Sequence, residues 1–92
     1  MEIGRVGYEL TRLAVLFEVI EEGGRFVCGI SLDQLDPNGV GHISGEEGLE
    51  FFNQNIDQIR ERAAAVVSDA KDAGIQHIPG QLNEPLLITL II

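Results

Sequence analysis

One helical signature, running from residue 44 to residue 74, limits what this chain can fold into more than any other feature. Leu49, Phe52, Ile56, Ile59, Ala63, Val66, Val67 and Ala70 recur at spacings of three and four. At about 100° per residue this gathers them into one narrow stripe. Glu50, Asn53, Asp57, Arg60, Glu61, Ser68, Asp69 and Asp72 occupy the other side. Ser44 and Glu47 have the reciprocal spacing of a capping box, and Gly74 stands where a left-handed residue ends a helix. A helix with one oily side must lie on an apolar surface. Phe51 falls off the stripe, which leaves it either under a neighbouring loop or against a partner.

The surface beneath the helix is predicted to be a small antiparallel sheet. Residues 13–20 and 26–32 are rich in Val, Ile, Leu and Phe, and Glu21, Glu22, Gly23 and Gly24 supply a tight turn between them. Phe26, Cys28 and Ile30 alternate with Val27, Gly29 and Ser31, so the first set is expected to face the core and Cys28 to be buried and inert. Residues 86–92 are apolar at every position but Thr89 and read as a closing strand with both faces covered. The expected fold is therefore α+β, with an N-terminal β-hairpin plus a C-terminal strand covered on one face by one long amphipathic helix. One helix covers one face. For the other, two possibilities stand: residues 1–12 fold over it, or a second copy of the chain does.

At 92 residues the chain suits a single domain, residues 1–92, with one core. Fifteen acidic against six basic residues give a formal charge of −9, and the basic residues are scattered, which argues against nucleic acid and anionic membranes. A single cysteine excludes an intrachain disulfide and points to a reducing, cytoplasmic setting. The N-terminal residues have neither a signal-peptide nor a transit-peptide layout. No apolar run approaches the roughly 20 residues a membrane span needs.

The densest local pattern covers residues 36–47 and resembles the twelve-residue calcium loop of the EF-hand family. Asp36, Asn38, the His42 carbonyl, Ser44 and Glu47 fall at ligand places one, three, seven, nine and twelve, with Gly41 at the sharp turn and Ile43 where such loops pair. Val40 fills the fifth ligand place without a side-chain oxygen. Residues 25–32 read as a strand where an EF-hand has its incoming helix. The plainer account is a turn built from Asp36, Pro37, Asn38 and Gly39 followed by a helix cap built from Ser44 and Glu47. Asp36, Asn38, Ser44 and Glu47 remain the candidate metal ligands.

No enzyme signature accompanies them. His42 and His77 are the only histidines, and no Ser or Cys stands in a nucleophile elbow or with a paired base. The Gly23–Gly24 pair and the Gly39–Gly41 pair lack phosphate-loop spacing, so no cofactor is expected.

Val15, Leu16 and Phe17, then Gly23 and Gly24, then Cys28, Ile30, Ser31 and Leu35, then Phe52, Ile56, Ile59 and Ala63 resemble in order the small bacterial proteins of domain of unknown function family 1488. The likeness runs over residues 13–92 and implies a hairpin, a short helical turn, a long helix and a closing strand, with no reaction or cofactor. Residues 15–59 also resemble, more weakly, the HicB-type antitoxins, which implies an acidic regulator that neutralises a partner. Together these features lead to the expectation of a non-enzymatic module that binds a protein partner or itself as a homo-oligomer. A calcium-binding domain and an antitoxin-like regulator are the alternatives.

Overall fold

Alternating β-branched and aromatic side chains build the centre of the molecule, a hairpin of β2 (Ala14–Glu21) and β3 (Gly24–Ser31) in full antiparallel register from Ala14 opposite Ser31 to Glu21 opposite Gly24. The computed structural model describes residues 1–9, 13–22, 24–31, 34, 45–77 and 84–89. Val15, Phe17 and Val19 stand opposite Ile30, Cys28 and Phe26, and all six are buried. The core face is therefore the one the alternation predicts. Leu13, expected to open the strand, instead precedes it at a φ of 50°.

Two long helices among the described residues cover that face. α1 (Gly45–Gln54) lies over the hairpin's first strand and over the neighbouring strand of residues 2–9, and α2 (Ile56–Asp72) carries the buried stripe Ile59, Ala63, Val67 and Ala70. Phe52 joins them and tilts against Phe17 with ring centroids 5.1 Å apart, a geometry worth about 0.5–1.5 kcal/mol beyond burial. Phe51 is half-buried against the same core, which favours packing over a free contact surface.

The expected single helix is thus broken at one residue. Asn55 leaves the helical region, at φ −108° and ψ 20°, because its own side chain competes for the backbone: Nδ2 donates to the Phe51 carbonyl at 2.8 Å. Its N–H is shared between the carbonyls of Phe51 and Phe52 at 3.1 and 3.2 Å, and the ladder resumes where the Ile59 N–H donates to the Asn55 carbonyl. The apolar stripe crosses the break without changing face. The helical end is as expected: Gly74 adopts φ 78°, its N–H reaches the Lys71 carbonyl, and the Ile75 N–H reaches that of Ala70.

Among the described residues the sheet has four strands in the order β1–β2–β3–β4 and is mixed, not antiparallel. β1 (Glu2–Glu9) pairs antiparallel with β2, so residues 2–9 extend the sheet sideways and do not fold over its second face. Gly4 allows this approach, since a Cβ there would stand 3.1 Å from Cδ1 of Ile20 and 3.3 Å from Cβ of Glu18. A bulge interrupts the register between Ile3 and Val6. β4 (Leu86–Leu87) is a two-residue edge strand parallel to β3, and with Leu87 exposed it is not covered on both faces as expected. The direction follows from the crossover: a helical layer passed once between two strands of one sheet returns the chain parallel. Ile88 is buried and its N–H donates to the Gly29 carbonyl at 2.9 Å, while Arg62 Nε holds the Thr89 carbonyl at 3.1 Å. Residues 90–92 of the expected strand lie outside the described residues; of the segment after β3 where the family resemblance implies a short helical turn, Gln34 is described and is helical.

Candidate interaction site

Both helices meet the sheet on the face of Val15, Phe17 and Val19, so the alternate side chains of the strands point the other way, where no described helix lies. That open face has an apolar floor. Leu16 crosses over Gly29 so closely that a Cβ there would stand 2.9 Å from Leu16 Cδ2, with Pro85 and Leu87 at 3.5 and 3.7 Å. Glycine at this place lets the two leucines and the proline meet above the strand. Ala14, Leu16, Ser31, Glu84, Pro85 and Leu87 line a concavity of about 590 Å³. Leu87 is 73% exposed, the largest exposure of any large apolar side chain among the described residues.

A second concavity of about 360 Å³ adjoins the first through Leu16 and extends across Gly7, Glu18 and Val27 to Arg5 and Glu9 on β1. Its rim is charged. Arg25 pairs with Glu18 at 3.5 Å on an exposed site, a contact of little energetic weight, whereas Lys71 ties α2 to the hairpin through Glu21 at 3.0 Å.

The opposite side of β3 is closed by a side chain. His77 Nδ1 accepts the Val27 N–H at 2.9 Å, and its ring packs on Phe26 at 5.5 Å. The imidazole occupies the ladder position that two-residue β4 is too short to reach. Nothing in the sequence marked this role; a lone histidine after a helix carries no pattern from which a strand cap can be read.

Cys28 lies at the centre of the core with no exposed surface, and burial pushes its thiol up to about 12. A thiol so held stays protonated and unreactive at neutral pH, as its strand position foretold. Of the candidate metal ligands, Glu47 stands exposed in the first turn of α1, while Asp36, Asn38 and Ser44, with His42, lie outside the described residues. β3 stays a strand to Ser31 and Gln34 is helical, so only residues 32–35 are left ahead of Asp36, where an EF-hand has several turns of incoming helix. Among the described residues no three His, Cys, Asp or Glu side chains stand together as a metal site, and no helix is long and apolar enough to cross a membrane. No protein-family model, curated protein or solved structure matches the chain.

Proposed function

We propose that this chain is a non-enzymatic protein-interaction module of the cytoplasm, binding through the open face of its sheet. The observation that carries the reading is Leu87, 73% exposed beside Leu16 and Pro85 on a floor with acidic Glu84 and Glu18 around it. Exposed apolar surface rimmed by polar side chains is the ordinary composition of a protein-binding patch. Kinship with family 1488 is part of the proposal, supported by the succession of β2, β3, helix and β4 in that order. An enzyme reading has less to stand on, since the one cysteine is sealed in the core and His77 is committed to the backbone of Val27.

Leu87→Glu tests the reading without touching the core, because the side chain already faces solvent. The expected result is that full-length protein captures a partner, another copy or a different protein, and that the variant loses it while its circular dichroism is unchanged. A wild-type chain that sediments as a strict monomer and captures nothing would sink the proposal.

A further inference from the structure

The hydrogen-bond directions in the sheet can be followed from one edge to the other. The Val27 N–H points away from β2, to His77, and the Gly29 carbonyl points the same way, to Ile88. In an antiparallel ladder a residue directs both of its polar backbone groups to one side, so Glu18 and Leu16, opposite Val27 and Gly29, direct theirs toward β1. Gly7, opposite Leu16, therefore bonds inward to β2. Val6 and Tyr8, opposite Phe17 and Val15, direct their N–H and C=O groups outward from the edge of the sheet.

We propose that a second copy of this chain pairs with that edge, β1 against β1 in antiparallel orientation, with Gly7 facing Gly7 across a two-fold axis. The inference rests on the interaction-module reading and names its partner. Three properties of β1 select this register. Val6 of each copy then meets Tyr8 of the other, and each such pair exchanges two backbone bonds, so all four outward N–H groups of these residues are used. Centring the axis on Val6 would set Tyr8 against Gly4 in the bulge, and centring it on Tyr8 would carry Val6 past the described strand.

The side chains agree with the backbone. Val6 and Tyr8 share one face and are 38% and 44% exposed, large values for residues on the core side, and together they form an aromatic and β-branched cross-strand pair. On the other face Arg5 of one copy comes beside Glu9 of the second, so unlike charges oppose each other in a chain of net charge −9. At the axis, glycine keeps the close non-hydrogen-bonded position clear. Joining the edges also sets the two open faces side by side in one continuous sheet.

The test uses the full chain and two edge variants, read by sedimentation and by NMR at concentrations up to about 1 mM. Val6→Pro removes an N–H that points outward from an edge strand and meets no acceptor among the described residues of the protomer, a position where a strand tolerates proline. Gly7→Asp adds a side chain where a Cβ meets nothing within 4 Å in the protomer but would place two carboxylates opposite each other at the axis. The expected result is a dimer, an intermolecular Gly7 Hα to Gly7 Hα contact in mixed-label samples, and about tenfold or more weaker association in both variants with native amide dispersion retained. A dimer that both variants leave intact would overturn the edge pairing while sparing the interaction-module reading. A wild-type chain monomeric at the highest concentration would also overturn it, and if the Leu87 surface still captured a different protein, the broader reading would stand.

Discussion

His77 accepts the backbone N–H of Val27 across 50 residues of sequence, and the same ring rests on Phe26. The two contacts can be separated. His77→Phe keeps an aromatic ring against Phe26 but offers no acceptor, leaving a part-buried N–H unpaired at a cost of about 1–3 kcal/mol. His77→Gln, whose Oε1 can accept, is expected to recover part of it. Urea unfolding gives the energies, and hydrogen exchange at Val27 accelerates in His77→Phe. An exchange rate unchanged from wild type would mean the bond carries no weight.

Burial of Cys28 makes stability depend on alkaline pH. The unfolded thiol loses its proton near 9.0, whereas the folded one holds it to about 12, so between those values the folded state binds a proton the unfolded state has released. Stability from this group is fully present below pH 9 and falls by about 1.4 kcal/mol per pH unit as the pH climbs toward 12. Unfolding midpoints compared between wild type and Cys28→Ala across that window isolate the slope. At pH 8 the native thiol is expected to resist alkylation until denaturant is added.

Leu13 and Gly74 both adopt positive φ, at 50° and 78°, and substitutions there are expected to act in opposite directions. Gly74→Ala puts a Cβ into the left-handed region at the end of α2 and costs about 1 kcal/mol, or roughly 4–8 °C in Tm. Leu13→Asn replaces an exposed, unfavourably placed leucine by a residue that tolerates this conformation, and a gain of about 0.5–1 kcal/mol is expected. Thermal denaturation of both variants checks the pair of signs.

Calcium is expected to release no heat on titration to millimolar concentration, and Glu47→Gln to leave stability in calcium unchanged. The physical ground is the incoming strand: β3 continues to Ser31, which leaves only residues 32–35 ahead of Asp36, too short a stretch for the full helix that leads into a calcium-binding loop. Saturable heat lost in Glu47→Gln would restore the metal reading.

The hairpin, its buried face and the stripe on the helices were legible because each depends on local periodicity: Val15, Phe17 and Val19 alternate, and Phe52, Ile59, Ala63, Val67 and Ala70 return to one side. β1 was not, because Gly4 and Gly7 dilute the strand pattern of Ile3, Val6 and Tyr8, and their purpose, close approach to β2 and an open edge, exists only once β2 is in place. The break at Asn55 was also out of reach. An asparagine on the solvated side of an apolar stripe reads as surface until its Nδ2 is seen on the Phe51 carbonyl.

The sequence by itself determined that the hairpin of β2 and β3 and the helical stretch after it form, which faces they bury and that Cys28 lies inside, since these follow from side-chain spacing along a single element. Tertiary structure alone decided the sheet's order, the parallel entry of β4, the capping of β3 by His77 and the meeting of Leu16 and Leu87 over Gly29 on the face that no described helix covers. Those depend on where separate elements meet, and backbone hydrogen bonds between them are made by groups every residue carries alike, so no pattern of side chains announces the partner.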